Sequence, residues 1–328
     1  MKVFSNVSGG RNPDSVTFYV LLALISVMTL CFSYVMAPLH MEGDQAHYHR
    51  AYAAVAGLGL VEALREYPTI IHTEEFVHLL IIWVFSSIGV DKNILMAVAN
   101  AVLGVLFAIF LRQKGASLWM VAWITFSCYY LHAVFFTLER TKFALIFVLL
   151  NLLTQRRWWL MVAVFTHSMV LIPIALNIAG EKLFGPKQKR HMNPFKSCLS
   201  KMGQVLFFLV LFIILIDVLG AHVYHKFSFY FDENFGNEFF GILPLVLLSV
   251  LTYVSAKERR GTKMFFFLGL MLFAMLMGSS RINMIGYFAY LYFSNFQHQA
   301  FKCSIAIIGL YLLYKTVVYL ANIYYFGG

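Results

Sequence analysis

Charged residues are scarce in this chain of 328 residues. Only 12% of the residues are Asp, Glu, Lys or Arg, whereas 61% are hydrophobic and the mean hydropathy is +0.76. This composition excludes a soluble domain and predicts an integral membrane protein. The apolar segments are long and continuous, so we expect transmembrane α-helices, which satisfy their own backbone hydrogen bonds inside the bilayer.

Cysteine is also sparse, and several motifs are missing. The four cysteines (Cys31, Cys128, Cys198 and Cys303) are isolated, which indicates packing residues rather than a disulfide framework or a zinc site. The chain has no GxxxxGK phosphate-binding loop, no HExxH metal motif and no GxSxG nucleophile motif. We therefore expect no nucleotide hydrolysis, no metal and no other cofactor.

The long apolar segments predict an all-α polytopic membrane protein. On the rule that roughly 20 apolar residues cross a bilayer, we count about 10 to 11 transmembrane helices in a single membrane domain over residues 1–328. Their approximate limits are 16–37, 75–90, 93–111, 117–138, 142–155, 157–179, 203–220, 239–256, 264–280, 282–297 and 303–325.

The formal net charge of +10 comes from lysine and arginine clustered in short loops between the spans. This pattern is typical of the positive-inside rule with anionic membrane lipid nearby, and it argues against nucleic acid as a partner. An N-terminus on the cytoplasmic side puts a basic loop, 180–202, in the cytoplasm. Loops 38–74 and 221–238 then lie outside, the first with an amphipathic interfacial helix over Ala51–Leu64.

Two features conflict with this charge count. It places four basic residues (Arg112, Lys114, Arg156 and Arg157) outside, and it places Arg140 on the cytoplasmic side. Either one of the short spans is re-entrant or the segmentation is wrong by one crossing.

The first candidate site follows the first apolar segment. Asp44, Tyr48 and Tyr52 are spaced four residues apart, so a helix would align them on one face. A carboxylate backed by two phenols at a membrane surface can hold or activate a hydroxyl. The alternative is a juxtamembrane loop with ordinary interfacial aromatic residues.

Three further candidates interrupt apolar segments. Arg140, in Glu139-Arg140-Thr141-Lys142, suits phosphate or diphosphate, or marks a basic turn. His167-Ser168 lies within an apolar run, where a histidine carries protons or bonds a neighbouring helix. Arg281, followed by Tyr287, lines a cavity for an anion or extends to the head groups.

These motifs, in this order, resemble the bacterial Wzy/EpsG-like family of O-antigen and exopolysaccharide polymerases. The matching residues are Gly43-Asp44, Tyr48 and Tyr52, then Arg140 to Leu145, then Phe165 to Ser168, then Ser280-Arg281 and Tyr287-Phe288. The resemblance covers residues 16 to about 295, in order and spacing.

The resemblance implies a GT-C-like glycosyltransferase in the bacterial cytoplasmic (inner) membrane. It would join oligosaccharide repeat units carried on undecaprenyl diphosphate at the outer face, and the resemblance suggests a chain-length regulator protein as a partner. Asp44 or His167 would act as general base, Arg281 and Arg140 would stabilise the leaving diphosphate, and Tyr48, Tyr52, Ser168 and Tyr287 would bind substrate. Alternatives are an O-antigen ligase, an acyltransferase, a flippase or transporter of lipid-linked saccharides, and a non-catalytic scaffold.

Overall fold

The structure is a computed structural model that describes residues 13–73, 75–184, 235–256 and 258–328. Helices make up 85% of it and no strand occurs in these ranges, so the all-α prediction is confirmed for them. The predicted span 203–220 and most of the loops 180–202 and 221–238 lie outside the described residues.

The helices mostly begin and end within a few residues of the predicted apolar segments. In chain order they are α1 (Pro13–Met36), α2 (Asp44–Val55), α3 (Leu60–Ile71), α4 (Phe76–Ser87), α5 (Lys92–Gln113), α6 (Leu118–Ser127), α7 (Tyr129–Phe136), α8 (Glu139–Thr154), α9 (Trp158–Thr166), α10 (Leu171–Phe184), α11 (Phe235–Ser255), α12 (Arg260–Met277), α13 (Ser279–Phe293) and α14 (Gln299–Phe326).

Three segments are long and apolar enough to cross a membrane: Ser15–Leu39, Lys92–Gln113 and Gln299–Phe326. Two bent pairs, α3 with α4 and α6 with α7, raise the number of candidate spans in the described residues to five. The pairs bend by 113° and 54°, respectively. Membrane-crossing helices are therefore supported by length and composition.

The chain divides into two compact units, residues 1–172 with 295–328, and residues 173–294. In the second unit α11, α12 and α13 pack against one another. The Lys263 ammonium on α12 donates to the Phe293 carbonyl at 3.0 Å, which ties α12 to the end of α13.

Polar contacts between helices of the first unit fix their directions. Asn100 on α5 donates to Ser33 on α1 at 3.0 Å, and Gly104 lies against Ile25, one turn of α5 later, so α1 and α5 are antiparallel. Lys92 bonds Glu139 at 2.6 Å, so α8 starts beside the start of α5.

At one end of the first unit α1 ends and α2, α5 and α8 begin, and we call this end the site end. The opposite end carries five basic side chains, and we call it the basic end. Its residues are Arg112, Lys114, Arg156, Arg157 and Lys302.

The structure changes three expectations about this unit. The predicted span 75–90 contains a 12-residue helix, α4, about 18 Å long, which is shorter than the roughly 30 Å of hydrocarbon and forms a candidate span only together with α3. Its first turn contacts α2 through His78 and Tyr48, whose rings lie 5.7 Å apart. The residues that follow its C-terminus contact α2 again, because the Tyr52 hydroxyl donates to the Val90 carbonyl at 2.7 Å. Both ends of α4 therefore lie beside α2 at the site end.

This return explains the conflict in the charge count. Arg140 Nε donates to the Tyr48 hydroxyl at 2.9 Å, so the two residues share one end of the unit, and their assignment to opposite sides is wrong. The predicted amphipathic helix Ala51–Leu64 is also interrupted, since α2 ends at Val55 and α3 begins at Leu60.

Candidate active site

A buried carboxylate, Glu75, organises a polar cluster at the site end. Its Oε2 accepts from Arg140 Nη1 at 2.9 Å, and its Oε1 lies 2.6 Å from His167 Nδ1. All three side chains are largely buried, with side-chain exposures of 14% for Arg140 and 9% for each of the others. Hydrogen-bonded ion pairs in such poorly solvated places interact strongly and hold their geometry. With Tyr48 and Thr73, these residues form what we call the Glu75 cluster.

The guanidinium of Arg140 is only partly used inside the cluster. Its Nε donates to the Tyr48 hydroxyl at 2.9 Å, and its Nη1 donates to Thr73 Oγ1 at 2.7 Å as well as to Glu75. The Nη2 group has no acceptor among the described residues. An arginine fixed in this way can offer two N–H donors to an anion.

His167 interrupts a helix to reach the cluster. α9 ends at Thr166, His167 is extended at φ −158°, and a short 3-10 helix follows over Ser168–Val170. With Nδ1 directed at Glu75, we assign the neutral tautomer that carries its proton on Nδ1. Nε2, which has no partner among the described residues, is then the basic nitrogen. A carboxylate that orients a histidine in this way is the arrangement of a general base.

A second pair of rings, Tyr67 and His78, contacts the Glu75 cluster through Tyr48. The Tyr67 hydroxyl and His78 Nδ1 are 2.8 Å apart, and the His78 ring lies between Tyr48 and Phe143, with centroids 5.7 and 5.9 Å away. Burial raises the pKa of Tyr48 to about 12, against the opposing effect of Arg140. The Tyr48 hydroxyl therefore stays protonated at physiological pH and acts as a neutral hydrogen-bonding group.

Deeper in the unit lies a separate group of charges, which we call the inner layer. Lys92 pairs with Glu139 at 2.6 Å and donates to Gln45 Oε1 at 3.1 Å. Gln45 in turn donates to the Phe136 carbonyl at 2.6 Å. Lys142 completes the layer, with Nζ 3.5 Å from Met96 Sδ. Glu139 and Lys142 are each 1% exposed, so this layer is closed to solvent.

The predicted site residues are distributed between the two units. Tyr48, Arg140 and His167 come together around Glu75, and Ser168 adjoins them with an exposed side chain. Asp44 begins α2 one turn before Tyr48, and Tyr52 lies one turn after it. Arg281, in the first turn of α13, and the buried Tyr287 belong to the second unit, and their part in the same site stays a prediction.

Sequence analysis missed Glu75, the residue that links the others. It overlooked Thr73 and the Tyr67–His78 pair too. The predicted span 75–90 began at Glu75, so this carboxylate was counted as a boundary residue. The signal available in the sequence was a polar tripeptide directly before an apolar run, Thr73-Glu74-Glu75.

Comparison with protein-family models, with curated proteins and with solved structures finds no match to this chain. Among the described residues, no group of three or more His, Cys, Asp or Glu side chains is arranged to hold a metal ion.

Proposed function

We propose that this chain is a membrane glycosyltransferase that joins oligosaccharide units carried on undecaprenyl diphosphate. The observation that carries the proposal is the Glu75 cluster. In this cluster one carboxylate bonds both His167, which it orients, and Arg140, whose Nη2 has no acceptor among the described residues. Such a transfer needs a base for the attacking hydroxyl and a cation for the departing diphosphate, and the cluster supplies one of each.

The proposed reaction uses the two groups of the cluster that bond no other described residue, His167 Nε2 and Arg140 Nη2. His167 Nε2 takes the proton from a sugar hydroxyl of the acceptor, and Glu75 stabilises the imidazolium that results. The hydroxyl oxygen forms a bond to the anomeric carbon of the donor. The bond from that carbon to the diphosphate breaks, and its electron pair leaves on the diphosphate, whose charge meets the Nη2 donors of Arg140.

The distribution of charge supports an outward-facing site. The basic end carries its five cations in segments without any acidic residue: 112–118, 154–158 and 295–302. By the positive-inside rule such segments remain in the cytoplasm. The Glu75 cluster, at the opposite end of the first unit, would then face the outer side of the bacterial cytoplasmic membrane.

The finer features of the proposal come from the family resemblance. They are a GT-C-like fold with about 10 to 11 spans, growth of O-antigen or exopolysaccharide, and a chain-length regulator as partner. In this scheme Asp44 serves as a second carboxylate for sugar hydroxyls. By the same resemblance Arg281 would stabilise the leaving diphosphate and Tyr287 would bind substrate, and an O-antigen ligase would use the same chemistry.

The decisive experiment uses the full-length protein in detergent with undecaprenyl-diphosphate-linked repeat units. Elongation is followed by mass spectrometry. We expect His167→Gln to slow elongation by about 10²- to 10⁴-fold, as removal of a general base does. The matched control is His132→Gln, because His132 is also buried but bonds only the Cys128 carbonyl, at 2.9 Å. Equal elongation by His167→Gln and wild type would rule out this base.

One observation favours a second candidate, a transporter of lipid-linked saccharides. The α6–α7 pair is bent by 54° at Cys128, and a second break occurs at His167. Broken helices with intramembrane charges are typical of transporter binding sites. Elongation in detergent separates the two functions, because a micelle has no second compartment to which a substrate could be moved.

A further inference from the structure

At the basic end, a groove of about 610 Å³ opens between the end of α5 and the starts of α6 and α14. It lies entirely within the first unit. Its volume falls in the range of about 300–1,000 Å³ that is usual for small-molecule sites. The Glu75 cluster contributes no residue to the groove, so it is a separate feature of the molecule.

One side of the groove is cationic. Arg112 is held by a hydrogen bond from its Nη1 to the Ala116 carbonyl at 2.9 Å, and Lys302 extends from the first turn of α14. No acidic residue is among those that line the groove, and neither cation has an ion-pair partner in the described part of the chain. Two positive charges without counterions favour an anionic ligand.

The other side of the groove is apolar and aromatic. Trp119 is 70% exposed and stacks on Trp123, with ring centroids 5.7 Å apart and an interplanar angle of 24°. Trp123 Nε1 donates to the Ile305 carbonyl at 3.3 Å. A Cβ at position 309 would overlap the Trp123 indole, so Gly309 allows the ring to lie directly on α14. The packing of α14 therefore fixes the position of the aromatic side of the groove.

The groove also lies where two candidate spans reach the membrane surface. Arg112 is in the last turn of Lys92–Gln113, and Lys302 is in the first turn of Gln299–Phe326. Tryptophan and basic side chains at this level are typical of contact with lipid head groups and the first part of their acyl chains.

From this combination we infer that the groove is a binding site for one anionic phospholipid. The phosphate and head group of the lipid bind Arg112 and Lys302, and the upper part of an acyl chain packs on Trp119 and Leu310. Because the positive-inside rule places the basic end in the cytoplasm, this lipid belongs to the cytoplasmic leaflet. The site is independent of the proposed transferase activity.

Tryptophan fluorescence tests the inference directly. The full-length protein is reconstituted with phosphatidylglycerol or phosphatidylcholine brominated on the acyl chains, because bromine quenches a tryptophan that it touches. We expect an apparent preference of about 30-fold for phosphatidylglycerol, from two cations near the surface. The five tryptophans of the chain include others. A Trp119→Phe, Trp123→Phe double variant therefore identifies the signal and should lose it.

The charge requirement has a matched control. Arg112→Gln with Lys302→Gln should abolish the preference. Arg156→Gln with Arg157→Gln, which removes two exposed charges from the same end outside the groove, should leave it intact. Equal quenching of the wild type by the two lipids overturns the inference, as does a preference that survives loss of Arg112 and Lys302. Because the wild-type comparison needs no variant, a variant that misfolds does not weaken the test.

Discussion

The Glu75 cluster and the inner layer are built from similar residues, yet they differ in how far their side chains are exposed to solvent. Consecutive residues of α8 supply them: Glu139 pairs with Lys92 in the inner layer, and Arg140 pairs with Glu75 in the cluster. The inner layer is 6% exposed or less at Lys92 and Glu139, whereas the Arg140 side chain keeps 14% exposure and two spare donors. Loss of one partner from the closed pair leaves an uncompensated buried charge, whereas a pair with solvent-accessible donors can take part in chemistry.

The largest effect is expected from Glu75→Gln. The amide keeps the size of the side chain but loses the charge that orients and stabilises His167, so elongation should fall by about 10³-fold or more. Elongation per folded molecule in detergent measures this. Glu66→Gln on α3, an exposed carboxylate, is the control and should keep wild-type activity. Glu75→Gln at full activity would place Glu75 with the inner layer as a structural residue.

The next effect, on stability, is expected from Glu139→Gln. It leaves Lys92 charged and buried without its partner, which should cost about 3–5 kcal/mol in the free energy of unfolding. Thermal unfolding in detergent measures the loss. The double variant Lys92→Met, Glu139→Met removes both charges and should recover most of the stability. If Glu139→Gln unfolds like wild type, the inner layer is not the stabilising layer.

A moderate effect is expected from Arg140→Lys. Lysine keeps the charge but lacks the fork that bonds Tyr48, Thr73 and Glu75 together, so elongation should fall by about 10- to 100-fold. The apparent affinity for the lipid diphosphate should fall with it. Lys142→Arg, the reverse exchange two residues along the helix, should instead lower stability, because it overpacks the inner layer. An unchanged rate in Arg140→Lys would show that charge alone suffices.

The smallest effect is expected from Tyr48→Phe. It removes one of the three hydrogen bonds that position Arg140, so elongation should slow by less than about tenfold. Tyr52→Phe is the natural comparison, because the Tyr52 hydroxyl bonds only the Val90 carbonyl. That variant should lose a little stability and no activity. The opposite pattern would exchange the roles of the two tyrosines.

Sequence reasoning predicted the parts of the fold that depend on local composition. The apolar runs indicated α1, α5 and α14, the spacing from Asp44 indicated Tyr48, and the polar interruptions indicated Arg140 and His167. It could not predict the path of α4, because the sequence does not show that α4 forms a sharply bent pair with α3. Nor could it assign Glu75, whose partners are 65 and 92 positions away in sequence. Pairings at such separations depend on tertiary packing.

The return of α4 to α2 has a consequence for how this protein is oriented during biosynthesis. A hydropathy plot read along the chain adds a crossing at residues 75–90 and thereby inverts the sidedness of each later loop in the first unit. Reporter fusions placed at positions 72 and 90 should instead label the same compartment. Because the carboxylate at residue 75 bonds Arg140 and His167, its environment is complete only after these later segments have been inserted beside it.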